Sequence, residues 1–289
     1  MALLFHKNDD SLVQEFLHMT TIPAYDPTLF TGAAWYYAQY RPKYPPIVFD
    51  LLTEIFHLDG KGKLLDLGCG AGLITIPLRD RFEEVIGLDP DPEMLQIAQQ
   101  QATAVGATNI SWVQDRAENI SPHVDKFRLV TIGRAFHWMQ RDFVLQRVYD
   151  LLTDNGGLAI IQTHEDPWNS DHPWKKTAVA VVKRWLGEQR RTGEGGKGVW
   201  KPLQISHEEI LALSAFSSQA KYEVKYQQSW TVDTYLGYLY STAFCLPSYV
   251  GENREKFEAD LKESLLAVEP SGSFIEELPI TIIAAWKNQ

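Results

Sequence analysis

The chain has 289 residues, 45% of them hydrophobic and 22% charged. These are the proportions of a folded globular protein, at a length that suits one core domain with an inserted or appended cap. A formal net charge of -10 supplies no global positive field to displace phosphate counterions, so no nucleic-acid partner is expected. Two distant cysteines, Cys69 and Cys245, make neither a disulfide framework nor a zinc site and suit a reducing, cytoplasmic setting. Met1 to Asp10 lacks the long apolar run and cleavage site of a secretory leader. No stretch approaches the roughly 18 uncharged apolar residues of a membrane span.

Residues 10–40 read as helical with breaks at Pro23 and Pro27, and place Tyr36 and Tyr40 on one helix face. Arg41-Pro42-Lys43-Tyr44-Pro45-Pro46 ends that segment, because proline lacks a donor and restricts the residue before it. Pro45 and Pro46 suit the first turn of a new helix, in which Ile47, Val48, Leu51, Leu52, Ile55 and Phe56 follow at helical spacing. A strand from Lys63 leads into the glycine turn 68–72 and a helix over Leu73–Arg81. A second strand, Glu84–Leu88, precedes a helix over Glu93–Ala104. Strands at Ile110–Val113 and Phe127–Ile132, a helix at Phe143–Leu151, a turn at Asp154–Gly157 and a strand at Leu158–Gln162 complete the regular part. Strands alternating with helices this regularly imply βαβ units and a mostly parallel sheet.

The rhythm breaks after His164. Between 165 and 215 a helix carries Trp174, Ala178, Val181, Val182 and Trp185 on one face, followed by a turn-rich stretch, Gly193–Gly198. The lysines and arginines here (Lys175, Lys176, Lys183, Arg184, Arg190, Arg191, Lys197 and Lys201) read as a solvated helix face. The sharper alternative is a lid that attracts an anionic substrate. The sheet resumes near Tyr222, Val224 and Tyr226 and closes with Ile280–Trp286. The expected fold is α/β: a doubly wound, Rossmann-like, mostly parallel seven-stranded sheet with helices on both faces and an inserted cap. The expected units are an N-terminal helical segment (1–45), a ligand-binding core (46–164), a cap (165–215) and the remainder of the core (216–289).

Asp66-Leu67-Gly68-Cys69-Gly70-Ala71-Gly72 closes a strand and opens a helix, with Asp89 ending the next strand about twenty positions on. A dinucleotide fold shares both features, but its G-x-G-x-x-G fingerprint needs glycine at the position of Leu73. The observed spacing is G-x-G-x-G, which speaks against a nicotinamide cofactor.

These motifs resemble those of class I S-adenosylmethionine-dependent methyltransferases. Leu64–Gly72 is similar to their first motif, Gly87–Leu95 to their second, and Leu151–Gly157 to the turn before their fifth strand. Tyr37-Ala38-Gln39-Tyr40-Arg41-Pro42-Lys43-Tyr44-Pro45 and Ala135-Phe136-His137-Trp138 resemble a small-molecule branch that includes trans-aconitate methyltransferases. The resemblance covers residues 35–165 well and the rest loosely. It implies S-adenosylmethionine as cofactor, with Gly68, Gly70 and Gly72 wrapping its methionine tail and Asp66 beneath the tail's ammonium. It further implies that Asp89 takes the ribose hydroxyls, with Pro90 following it, and that Met94 packs beside the adenine. Asp115, Arg116 and Ala117 stand near the family's adenine-contacting Asp-Ala-Glu pattern, one place out of register. Arg128 also departs, standing where an aspartate is common.

Reading from the residues alone, Asp89 has the alternative role of helix cap. Tyr36 and Tyr40 either close over the donor or pack in the core. Arg41 and Arg134 are candidates to anchor a carboxylate of donor or substrate. His137 and His164 are the candidate catalytic residues, as general bases or as polar walls; Glu165 is a candidate companion of His164. No metal site is expected. The predicted function is methyl transfer to an oxygen, nitrogen or carbon of a small-molecule acceptor such as a natural product or carboxylic acid. The alternatives are a methyltransferase of RNA or protein and a catalytically silent donor-binding protein.

Overall fold

The computed structural model describes residues 26, 30–121, 125–192, 198–199, 201, 203–216 and 218–287. The helical reading of 10–25 and the glycine stretch 193–197 lie outside the described residues. Seven strands form one sheet: β1 (Lys63–Leu67), β2 (Glu84–Asp89), β3 (Ile110–Gln114), β4 (Phe127–Gly133), β5 (Leu152–Thr163), β6 (Ser218–Thr231) and β7 (Ser273–Trp286). Their order is β3-β2-β1-β4-β5-β7-β6. The pairings among β1 to β5 are parallel, and β7 alone runs against its neighbours β5 and β6. The chain winds outward from β1 in one direction and from β4 in the other. The crevice beyond the carboxyl ends of β1 and β4 is therefore the topological switch point, where open α/β sheets bind ligands.

Adjacent strand residues divide between the two faces with period two. Leu64, Leu129, Ala159 and Ile282 face one core, with Val48 and Leu52 of α2 (Pro46–Ile55). Leu65, Val130, Ile160 and Ile283 face the other, with Val144, Leu145 and Val148 of α4 (Arg141–Leu151). Between β2 and β3 lies α3 (Pro92–Ala104), and before α2 lies α1 (Ala34–Tyr40). The expected helix over Leu73–Arg81 is shorter than the sequence predicts: one α-turn, Thr75–Leu78, then a 3-10 turn, Arg79–Arg81. Pro77 lies inside that turn and has no N–H to extend it. The expected turn at Asp154–Gly157 is a bulge inside β5. Phe127 pairs with Leu152 and Leu129 with Gly157, and Asn155 takes a φ of 62° to fold the extra residues out.

The apolar face of α5 (Pro173–Leu186) is covered by residues later than the predicted cap. Trp174, Ala178, Val181 and Val182 pack with Tyr235, Tyr238 and Leu239 of α7 (Val232–Tyr240) and with Phe257, Leu261 and Leu265 of α8 (Arg254–Val268). Meanwhile Ile210 and Leu211 of α6 (His207–Ala212) join the core under the sheet, against α4. The stretch 165–215 thus divides between two apolar clusters. β6 and β7 pair along their whole length, from Ser218 with Trp286 to Thr231 with Ser273. Only Ile280–Trp286 of β7 pairs with β5. The far half of the β6–β7 ladder therefore extends beyond β5 and brings Trp230 and Phe274 into the cap.

Candidate active site

Each residue of the glycine turn that the spacing singles out has a conformation suited to glycine. Gly68, Gly70 and Gly72 have φ of 65°, 52° and 81°, a region costly for residues with a Cβ. At Gly68 a Cβ would also lie 2.5 Å from that of Ala135. The N–H groups of Gly68 and Cys69 both donate to the Leu88 carbonyl, fixing the turn to the end of β2.

Two carboxylates flank this turn. Asp66 is buried, and its oxygens accept from Thr75 Oγ1 at 2.6 Å and Thr131 Oγ1 at 2.8 Å. Burial outweighs these hydroxyls and pushes its pKa up to about 6. Asp89 accepts from the Gly70 N–H at 2.8 Å and the Asp91 N–H at 2.9 Å, one bond per oxygen. Burial again raises its pKa to about 6, against those donors. The cap of α3 is Asp91, whose carboxylate accepts from the N–H groups of Glu93 and Met94. Asp89 therefore has no capping duty, and each of its oxygens keeps acceptor capacity for a further donor. Glycines of positive φ and an acidic side chain with spare lone pairs fit a nucleoside with an amino-acid tail.

α1 roofs the turn. Ala34 and Ala38 pack with Ala71 and Met94, and the Gly32 N–H donates to Glu93 Oε2 at 3.3 Å. Tyr36 and Tyr40 point away from the turn, toward the cap. Tyr36 accepts from Arg254 at 2.8 Å and meets the Tyr240 ring edge-on at 5.3 Å. Tyr40 lies against Gly237 of α7, where a Cβ would come within 2.3 Å of its ring. The crevice is lined by Tyr37 and Tyr44, with Asp66, Gly68 and Gly133. Sequence reading missed both tyrosines as site residues, although Tyr37 shares a helix face with Ala34, Ala38 and Arg41, the small-residue face that permits close packing.

At the β3 end, Asp115 is committed to its own turn, accepting from the Arg116 N–H at 2.8 Å and Asn119 Nδ2 at 2.7 Å. Arg116 pairs with Glu118 at 3.3 Å, and Ala117 is buried. Pro90 offers its carbonyl to Gln114 at 3.5 Å. Arg128, out of pattern in the sequence, reaches back to Asp59 and the His57 carbonyl across the entry to β1.

Beside the crevice, Arg41, Arg134 and Glu165 come together from three separate segments. Arg41 caps the C-terminus of α1, Arg134 follows β4, and Glu165 follows β5. Arg134 has a φ of 54°, strain that clusters at functional positions. Its Nη2 donates to the Pro42 carbonyl at 2.6 Å, and its guanidinium stacks 4.6 Å over Tyr44. Arg41 Nε lies 3.0 Å from Glu165 Oε1, and Arg134 Nε 3.9 Å from the same atom. Burial would raise the Glu165 pKa, but Arg134 and Arg41 hold it below the usual carboxylate value.

The two candidate bases differ in setting. Burial, with the nearby cations Arg41, Arg190 and Arg141 and the His207 ring, pushes the His137 pKa down to about 3. His137 is therefore neutral at physiological pH and a weak base. His164 is exposed and held by Thr281 at 3.1 Å, whereas its neighbour Glu165 turns into the buried cluster. The expected solvated cationic face of the cap is largely paired. Lys175 is buried against Glu276, which also accepts from Trp230 Nε1 at 2.7 Å. Arg184 pairs with Asp260 at 2.6 Å and Arg190 with Asp166 at 2.8 Å.

Residues 64–156 match the family model described as a methyltransferase domain. An uncharacterized methyltransferase of Schizosaccharomyces pombe, C25B8.09, is 25% identical over 190 residues, 65% of this chain and 71% of that protein. The probable S-adenosylmethionine-dependent methyltransferase CRG1 of Saccharomyces cerevisiae is 31% identical over 128 residues, 43% of each chain. Among solved structures, the YcgJ protein of Bacillus subtilis superposes with a TM-score of 0.53 at 18% identity, over 85% of this chain and all of that one. Strand order and superposition give this chain a Rossmann-like methyltransferase fold, residues 64–156 match a methyltransferase domain, and the chain is an enzyme of methyl transfer.

Proposed function

We propose that this enzyme moves a methyl group from S-adenosylmethionine to an oxygen, nitrogen or carbon atom of a small-molecule acceptor. The observation that carries the donor assignment is Asp89: a buried carboxylate at the end of β2, bound to the glycine turn and free of capping duty. Its two oxygens receive the ribose hydroxyls, while Gly68, Gly70 and Gly72 let the main chain approach the amino-acid tail and Asp66 backs that turn. Met94, with Pro90, borders the base, and Arg116 and Ala117 offer their main chain on its far side. The functional units are the roof (30–45 of the described residues), the donor core (46–164), and a cap that begins at 165 and is completed by α7 and α8. A small acceptor is favoured because Tyr37 of α1 and Tyr44 wall the crevice, and the cap's cations are largely spent on internal pairs.

When bound, the sulfonium supplies a methyl group that is already activated. The chain's task is alignment, which can lower a barrier by roughly 7–11 kcal/mol. His137, neutral and packed against the Trp138 ring at 4.7 Å, acts as a polar wall rather than a base, since efficient proton transfer needs a pKa near the working pH. His164, anchored on Thr281, has a supporting role at the rim. The test is transfer of isotopic label from the donor to a metabolite panel, to bulk RNA and to protein. Label in a small molecule alone supports the reading. Label in RNA or protein overturns it, and donor binding without transfer to any of these marks a silent donor-binding protein.

A further inference from the structure

β6 is the outermost strand of the sheet, and its free edge runs 14 residues, from Ser218 to Thr231. β7 takes one side of it along its whole length. On the other side no backbone group of another described segment bonds to it, and the Gln228 side chain turns back to the Ser229 carbonyl. An open edge presents a row of unpaired N–H and C=O groups, a template for a further strand. Edge lysines ordinarily deter such pairing, but both lysines here are neutralised within the chain. Lys221 lies 2.7 Å from Glu208 and Lys225 3.2 Å from Glu277. Exposed Glu223, between them, forms no ion pair among the described residues. The uncompensated charge of this edge is therefore negative. A second observation is apolar. Leu213, at the end of α6, and Ile275 of β7 are the most exposed large hydrophobic side chains among the described residues, at 64% and 63%. Ile275 shares its face of β7 with Ile283, an even number of positions on, and Ile283 packs in the cluster that α6 covers.

We propose that β6 pairs antiparallel with β6 of a second copy of this chain, about a two-fold axis through Val224, joining two seven-stranded sheets edge to edge. Self-complementarity selects this register, in which all of residues 218–230 find a strand partner. Glu223 faces the partner's Lys225, Tyr222 faces the partner's Tyr226, and symmetry repeats both pairs. Lys221 faces the partner's Gln227, and no like charges meet. Opposite charges and aromatic pairs directly across a strand pair are stabilising. An axis through Glu223 instead sets Lys221 against the partner's Lys225 and Glu223 against its own copy. An axis through Tyr222 pairs Lys221 with the partner's Glu223 but leaves Gln227–Thr231 beyond the end of the partner strand. With the axis at Val224, Gln219 faces the partner's Ser229, and the β7 residue beside that serine is Ile275. Gln219 and Ala212 line the groove between β6 and α6. The seam thus brings the partner's Ile275 toward the end of α6 where Leu213 stands, so that each copy supplies cover for the other's exposed apolar side chain.

Sedimentation velocity on the full chain across the micromolar range tests this pairing. Wild type is expected as a dimer. Glu223→Lys and Lys225→Glu each place like charges opposite one another at both symmetry-related points of the seam, and each should weaken the dimer about tenfold or more. Both residues are exposed, and melting curves check that each variant folds. Mixed in equal amounts, the two variants form a heterodimer in which residue 223 of each chain again faces an opposite charge at 225. Association should then return toward that of wild type, a recovery that a substitution merely disturbing the fold does not show. Wild type that stays monomeric overturns the pairing. A dimer that neither reversal weakens is held by another surface and overturns the assignment to β6. Weakening in both variants without recovery on mixing overturns the register through Val224.

Discussion

Two carboxylates beside the glycine turn share a raised pKa for the same physical reason and differ in what that should do. At Asp89 the charged form is the one that accepts from ribose hydroxyls. Asp89→Asn should therefore weaken S-adenosylhomocysteine binding about ten- to hundredfold, since hydrogen bonds to a charged acceptor are worth roughly 1.5–3 kcal/mol. Wild-type affinity should fall as pH drops through about 6, where Asp89 takes up its proton. Affinity flat from pH 5 to 8 would show that this carboxylate does not hold the ligand. At Asp66 the consequence is for stability. Its pKa rises from 3.8 to about 6 on folding, so between those values the folded chain binds the extra proton. The cost of the buried charge is absent below the lower value and complete above the upper one. Relative to Asp66→Asn, wild type should lose about 1.4 kcal/mol between pH 5 and pH 7, the linkage of one pKa unit. Equal pH dependence in the two proteins would refute this. At His137, a pKa of about 3 predicts that His137→Asn leaves the shape of the kcat profile unchanged between pH 6 and 8; disappearance of a limb there would restore the base.

Among the elements, α1 joins two regions that otherwise lie on separate supports. One face meets Ala71 and Met94 at the turn, and the other puts Tyr40 against Gly237. Gly237→Ala would drive a methyl group into the Tyr40 ring. It should cost about 1–3 kcal/mol and weaken donor binding through α1, and adding Tyr40→Ala should recover part of both losses. Strictly additive effects of the two substitutions would show that the contact does not transmit. The two faces of this helix also show what sequence reading could and could not recover. Spacing alone put Tyr36 and Tyr40 on one face, as found, but a seven-residue helix has too short a pattern to show which face turns inward. The residues that decide it, Gly237 and Arg254, lie about 200 positions away. The turn itself was legible because its chemistry is local: glycines of positive φ, a strand before and an acidic side chain after. Glu165 was read only as a companion to His164, since its meaning depends on two arginines brought in by α1 and β4.

At the scale of the molecule, the sheet was legible from its alternation of strands and helices, whereas the cap was not. Trp174 and Trp185 announced an apolar face, but its cover comes from α7 and α8, beyond the predicted boundary. Trp174→Ala should remove roughly 3–5 kcal/mol of stability and lower the melting temperature. Donor affinity of the folded fraction should hold, and loss of donor affinity in a well-folded variant would place the cap on the donor side. The ladder of β6 and β7 gives this arrangement a further consequence. Thr231 and Ser273 are partners across it, so the 41 residues of the excursion 232–272 leave and re-enter the sheet at neighbouring points. Such a segment is a cassette: its two ends are held at a fixed separation whatever lies between them, and closing a longer or shorter loop there costs little. The excursion can thus be exchanged while the rest of the sheet keeps its register. Chimeras that carry another enzyme's excursion on this sheet, with Gly237 kept against Tyr40 and α5 repacked to match, should exchange acceptor preference and retain affinity for S-adenosylhomocysteine.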